Sequence, residues 1–221
     1  MDRVRSASAG MTGGRRLSAI WNRMAATGSG RWGLAMLPAA AVCVIVVLDV
    51  ILGQGSWPIA VIGPLDEVGH LLTAALLLAV LPRWARGRVW PWALLGAVAI
   101  DIDHLPLYTF AEGFEVGGRP PTHSLLTVLI LAAFATVVPA VRLPLAGLSL
   151  GVGLHFVRDV ATGPGVPLFW PFDDAAVRLP YPAYLVVVTC AAGIATWKVL
   201  RGAPPHADRP LVAEPDPTQS A

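Results

Sequence analysis

The chain has five histidines, and four of them fall in short polar groups set among apolar residues. Asp66, Glu67 and His70 make the first group, and Asp101, Asp103 and His104 the second. His123 stands between Thr122 and Ser124, and His155 lies four residues before Asp159. Imidazole nitrogens with carboxylate oxygens are the donor set of a divalent cation, Zn2+ or Mn2+ ahead of Fe2+. The spacings suit a common centre. Asp66 and His70, and likewise His155 and Asp159, are i and i+4; Glu67 and His70, and Asp101 and His104, are i and i+3. On a helix each pair shares a face. Taken singly, each group has a plainer reading: a packed histidine, acids at a helix N-terminus, a solvated carboxylate at a helix end. Taken together they exceed what one tetrahedral ion needs. That implies one or two ions, or carboxylates that orient the histidines from behind. Cys43 and Cys190 lie in apolar runs outside any C-x-x-C pattern, and read as small buried packing residues rather than thiolate ligands.

The elements that carry these groups are membrane helices. Of the 221 residues, 55% are hydrophobic and 14% charged, with a mean hydropathy of +0.64. A soluble domain carries about 25% charge. Apolar runs close to the roughly twenty residues that cross a hydrocarbon core predict spans near 33–53, 65–82, 89–105, 123–141, 144–163 and 181–200. The expectation is an all-α, polytopic membrane helix bundle of about six transmembrane helices, with a transmembrane domain at 33–201. A basic segment, 1–32, and a Pro-rich tail, 202–221, flank it and are expected to be disordered. Arg15-Arg16 precedes a long apolar run without an A-x-A site, so that run reads as a retained span.

Orientation follows from the cations. With both termini cytoplasmic, thirteen Lys and Arg residues fall in inside segments, while the outside loops hold Arg119 and Arg178. That is the positive-inside bias. All four polar groups then lie toward the outer face: one opens the second span, one closes the third, one opens the fourth, and one sits in the outward half of the fifth. An ionisable side chain at the centre of a span costs about 2.5–3.5 kcal/mol on insertion scales. Several together must face one another, water or a cation. Arg158 lies on another side of the helix from its neighbour Asp159, to pair with a carboxylate or bind an anion. Asp49 is either a group behind the ligands or a solvated acid, and His206 lies in the tail, away from the site. Arginine outnumbers lysine 15 to 1, as in a GC-rich bacterial genome, which places the chain in a bacterial plasma (inner) membrane. The net charge of +2 gives no case for nucleic acid.

The ordered motifs resemble a known family. They are Asp101-Ile-Asp103-His104, then Arg119-Pro-Pro-Thr122-His123-Ser124, then His155-x-x-x-Asp159-x-x-Thr162-Gly163 ending in Trp170-Pro171-Phe172, with His70 upstream. Together, over residues 65–172, they are similar to the membrane-bound metal-dependent hydrolases described as LexA-binding, inner-membrane-associated putative hydrolases. That family is regarded as distantly similar to zinc-dependent phospholipase C and P1 nuclease proteins. The resemblance implies metal ligation by His70, Asp101, His104, His123, His155 and Asp159, with Asp103 a further candidate. Where the family has His before the Arg of its second motif, this chain has Gly118, and Ile100 replaces a Pro before the first Asp. A LexA-type partner finds no surface here, since the chemistry faces outward and the inside loops are short.

The expected function is metal-dependent hydrolysis of a phosphoester, or of another ester, in a lipid or lipid-linked substrate at the outer face. Glu67 and Asp103 are the candidate bases. Asp66, Arg119, Thr122, Ser124, Arg158 and Thr162 are expected behind the ligands or against the substrate. Ion transport is the first alternative, disfavoured because no polar set continues into the cytoplasmic half. A non-catalytic metal-binding scaffold is the second.

Overall fold

The computed structural model describes residues 28–82, 88–109 and 115–202. Seven α-helices carry the described chain: α1 (Gly28–Gly53), α2 (Ile59–Val80), α3 (Trp90–Ala99), α4 (His104–Thr109), α5 (Leu125–Val137), α6 (Arg142–Asp159) and α7 (Tyr181–Arg201). Short 3-10 turns join α3 to α4 (Ile100–Asp103) and precede α6 (Pro139–Val141). No strand occurs among the described residues; two isolated bridges, Val116 with Arg119 and Val166 with Val177, are the extended pairings.

Four helical stretches are long and apolar enough to cross a membrane: Gly30–Gly53, Ile59–Val80, Pro139–Asp159 and Tyr181–Arg201. The expected spans at 89–105 and 123–141 are shorter. The third gives up α-helical geometry after Ala99, and the fourth begins only at Leu125 because Ser124 is extended (φ −139°, ψ 161°). Thirteen helical residues rise about 20 Å against a core of about 30 Å. The second helix starts six residues before the expected 65. Asp66 and His70 therefore lie two to three turns inside α2, and the helix-N-terminus reading of Asp66 and Glu67 falls. Residues 28–32 are helical, which shortens the expected unstructured N-terminal segment; 1–27, and 203–221 with His206, lie outside the described residues.

The described residues fall into two units, one within Leu37–Thr196 and the other formed by 28–36 with 197–202. In the latter, the Arg31 guanidinium donates to the carbonyls of Leu200 and Gly202. The former holds two apolar cores. One joins Ile45 of α1, Leu76 of α2 and Tyr184, Val188 and Ala191 of α7; the other gathers Val152, Phe156 and Val160 of α6 with Val166. Cys43 and Cys190 are exposed on the outer faces of α1 and α7, against the expectation of burial. A small apolar thiol fits a lipid-facing surface as well as a core.

The contact that matters for the site is α3 against α6. Gly147 and Gly151 face Trp92, Ala93 and Ala97, and Gly96 faces Leu148. A Cβ on Gly151 would stand 2.1 Å from the Ala93 carbonyl oxygen, and one on Gly96 2.5 Å from that of Leu148. Small residues four apart let two membrane helices touch backbone to backbone. The same i+4 stripe on α6 continues from Gly147 and Gly151 to His155 and Asp159.

Candidate metal centre

His155 is placed by that close approach. Its Nδ1 lies 2.8 Å from the Ala97 carbonyl. A carbonyl only accepts, so Nδ1 carries the proton and donates. Nε2 then directs its lone pair at Asp159 Oδ2, 2.9 Å away, and Asp101 Oδ1, 3.4 Å away. In the neutral ring that lone pair repels the two carboxylates unless a cation lies among them; in the charged ring a proton on Nε2 answers them. Asp159 and the rings of His70, His123 and His155 are all fully buried.

The tightening of α3 into a 3-10 turn supplies the next donor groups. At about three residues per turn, side chains three apart eclipse, and Asp101 and His104 face the same point. His104 Nδ1 lies 3.4 Å from Asp101 Oδ1 and 3.0 Å from Asp103 Oδ1. His123 arrives from a turn closed by its own N–H on the Pro120 carbonyl (2.9 Å). Its Nε2 lies 3.0 Å from Asp101 Oδ1 and 3.7 Å from Asp159 Oδ2, and its Nδ1 3.2 Å from Asp103 Oδ2. The Thr122 hydroxyl donates to the same Asp103 oxygen. Asp103 thus backs two histidines, the arrangement that orients a ligating imidazole. His70 stacks on His155 with ring centroids 3.7 Å apart, its Nε2 3.4 Å from Asp159 Oδ1 and 3.6 Å from Asp66 Oδ2.

These residues fit a divalent cation on two independent counts. Ligands at 2.0–2.1 Å from a tetrahedral ion stand roughly 3.3 Å from each other. Four separations among Asp101 Oδ1, Asp159 Oδ2, His123 Nε2 and His155 Nε2 are 2.9, 3.0, 3.4 and 3.7 Å. The donors also fall into sets whose atoms lie within 4.8 Å of one another: Asp101, Asp103, His104 and His123; His70, His155 and Asp159; Asp66, His70 and Asp101. The second count is charge. Asp49, Asp66, Glu67, Asp101, Asp103 and Asp159 face Arg119 and Arg158, an excess of four formal negative charges when all are ionised. Protonated histidines or a cation must offset that excess where it is buried, as at Asp159. The field is visible at two groups outside the membrane-crossing helices. Burial raises the Asp103 carboxyl, but His104, His123 and Thr122 outweigh it and hold its pKa below the usual value. Burial lowers His123, but hydrogen bonds with Asp101 and Asp103 and the charges of Asp103 and Asp159 raise it.

The remaining predicted residues divide. Glu67 and Arg119 line a cavity of about 420 Å³ beside Asp66, Asp101 and His104. Arg119 donates to Asp159 Oδ1 at 2.8 Å. It is aimed by a tight turn, Val116-Gly-Gly-Arg119, closed by reciprocal backbone bonds of 2.8 and 3.1 Å, with Gly117 and Gly118 at φ +59° and +82°. Position 118, where the resembled family has a histidine, here takes a backbone conformation that favours glycine. Ser124 is buried behind His123 with its hydroxyl unpartnered. Thr162 bonds the Arg158 carbonyl (3.1 Å) and serves the end of α6, not the ligand cluster.

Arg158 is no substrate group. It is buried and donates to Asp49 of α1 and Asp66 of α2, with Tyr181 of α7 donating to the other Asp49 oxygen at 2.8 Å. Its guanidinium lies against Gly69, where a Cβ would stand 2.7 Å from Cζ. Sequence reasoning missed the parts of this clamp played by Gly69 and Tyr181, and left Asp49 open. The legible signal was an acid at the end of an apolar span with an arginine to answer it.

The comparisons with known proteins follow the same stretch of chain. The family model described as YdjM inner membrane protein matches residues 65–211. The curated proteins named Inner membrane protein YdjM from Escherichia coli (strain K12) and from Shigella flexneri are each 37% identical over 108 residues, covering 41% of this chain and 54% of the relative. The chain thus spans about half the length of the curated relatives it matches. No solved structure matches. These names give a membrane location and no reaction, metal or partner.

Proposed function

The chain belongs to the YdjM inner membrane protein family, and on that premise we propose that it is a membrane-embedded, metal-dependent hydrolase. The proposed substrate carries a phosphoester, or another ester, in a lipid or lipid-linked molecule. The proposed place is the extracytoplasmic side of the inner membrane, on the strength of the Lys and Arg asymmetry. The observation that carries this reading is the His155 imidazole, locked by the Ala97 carbonyl so that its lone pair meets the Asp101 and Asp159 carboxylates beside His123.

Asp101, His123, His155 and Asp159 would hold one Zn2+ or Mn2+, and His70 and His104, which border them, would complete it or share a second. When bound, such an ion supplies Lewis acidity and lowers the pKa of a water to about 7. The chain's own groups do the rest. Glu67, on the cavity wall and next to the Asp101 carboxylate, is placed to take a proton from water. Asp103 is committed to His104, His123 and Thr122, which favours Glu67 over Asp103 as the base. Arg119 fixes Asp159 and presents positive charge to the cavity. His70, His123, His155 and Asp159 are shut off from bulk water.

The test is metal analysis of the purified protein, followed by hydrolysis assays with phosphoester and carboxylic-ester lipids. Stoichiometric zinc or manganese, lost in His123→Ala, and turnover that disappears with it are expected. A metal-free wild-type protein sinks the centre. Metal without turnover of any ester leaves the scaffold reading in its place.

A further inference from the structure

The cavity beside the metal centre has two unlike walls. Glu67, Arg119, Asp101 and His104 form the polar one; Ile59 and Ile62, on the first turns of α2, and Ile102 and Leu105, around the 3-10 turn, form the apolar one. Ile59, Ile102 and Leu105 are 52%, 64% and 60% exposed, so the apolar wall is open to the surroundings of the helices rather than sealed as a core. Arg119, more than nine-tenths buried, spends one nitrogen on Asp159 and keeps its Nε without a partner. A buried guanidinium donor left unmade is costly, and a planar guanidinium fork suits the oxygens of a phosphate or carboxylate.

We propose that the cavity takes an anionic amphiphile, with Arg119 reading the anion and Ile59, Ile62, Ile102 and Leu105 holding the hydrocarbon. The inference rests on the hydrolase reading for its place beside the ions, and narrows the substrate. A neutral ester leaves the Arg119 charge on the cavity wall unanswered, and a small water-soluble phosphate leaves the apolar wall empty. The wall starts at the first turns of a membrane-crossing helix, so the chain enters from the lipid and the charged end reaches the ions last.

Binding, rather than turnover, tests it. The zinc-loaded full-length protein is titrated with dihexanoyl phosphatidic acid, dihexanoylglycerol and inorganic phosphate. Phosphatidic acid is expected to bind at least about tenfold tighter than either, since a charged hydrogen bond and a buried chain each supply that factor. Arg119→Gln should remove most of the preference for phosphatidic acid over dihexanoylglycerol, with Arg119→Lys retaining part of it, both variants being titrated at saturating zinc because Arg119 also holds Asp159. Leu105→Asp, at an exposed position, should weaken phosphatidic acid about tenfold and leave inorganic phosphate unaffected. Equal affinity for phosphate and phosphatidic acid, or a Leu105→Asp variant that binds phosphatidic acid as before, overturns the proposal. So does an undiminished preference in Arg119→Gln. Absence of ester hydrolysis would defeat the hydrolase reading while leaving this binding pattern to stand or fall by itself.

Discussion

Arg119 and Arg158 are both buried against aspartates of one cluster, yet they sit in different surroundings. Arg158 is 1% exposed, wedged over Gly69 and held by Asp49 and Asp66, so its charge is consumed within the protein. Arg119 lies on the wall of a cavity, has one carboxylate partner among the described residues, and keeps a donor unpartnered. The cluster thus has a closed side, which ties helices α1, α2, α6 and α7 together, and an open side, which faces the cavity. Asp66 links them, one oxygen on Arg158 and the other 3.6 Å from His70. A buried ion pair is weak evidence for stability but a strong constraint on geometry. The closed side is therefore where structure is expected to fail on mutation, and the open side where binding is.

The largest effect should come from the open side and leave the fold standing. His155→Ala removes the donor whose lone pair meets Asp101 and Asp159. Zinc affinity should fall by more than about 100-fold, since even the residues behind a ligand are worth 10–100-fold. Unfolding of the metal-free protein in detergent should change far less. Competition titration with a zinc chelator and a thermal melt measure the two quantities. An unchanged affinity breaks the comparison at its root.

Arg158→Met is the converse. It strands two carboxylates, and losing one partner of a buried pair costs about 3–5 kcal/mol. The metal-free protein should melt much earlier than wild type. Adding Asp49→Asn should recover part of the loss, because one stranded charge is removed. If the double variant is no better than the single one, the clamp is not an electrostatic unit.

The open side was largely legible in the sequence and the closed side was not. Histidines and acids at i+3 and i+4 spacing announce a shared face before any coordinates exist, and His70, His104, His123 and His155 do meet. Hydropathy located the long helices but not how α3 and α5 end. The third expected span turns 3-10 to aim Asp101 and His104, and the fourth starts late, with Ser124 extended and His123 reaching the cluster from the turn before it. In both, ligand placement overrides the apolar pattern that predicted a continuous helix. The clamp was hidden because its parts look ordinary singly. Asp49 reads equally as a group behind the ligands or as a solvated acid, and nothing in the sequence singles out Tyr181 or Gly69. Their meeting depends on helices far apart in sequence, and no local period encodes that.

A smaller effect sharpens how far the closed packing reaches the open side. Gly151→Ala places a Cβ 2.1 Å from the Ala93 carbonyl oxygen. Backbone atoms cannot swing aside, so α3 and α6 must part, at about 1–3 kcal/mol for overpacking of this kind. The Ala97 carbonyl then moves from His155 Nδ1, and zinc affinity should drop along with stability. Loss of stability with zinc affinity intact would show that the ring is held by other contacts.

Tyr181→Phe asks for the smallest change and the cleanest separation. The hydroxyl donates to Asp49 Oδ2 at 2.8 Å, while Arg158 binds the other oxygen of the same carboxylate. Deleting it leaves Asp49 paired with its arginine, so the cost is that of one hydrogen bond to a charged acceptor, about 1–2 kcal/mol. Nothing between Tyr181 and the ligands changes, because Asp66 and His70 keep their partners. Zinc affinity should therefore match wild type while the melting temperature falls by a few degrees. A drop in zinc affinity would mean that the charge state of Asp49 is felt through Arg158 and Asp66 at His70. The closed side would then tune the metal as well as brace it.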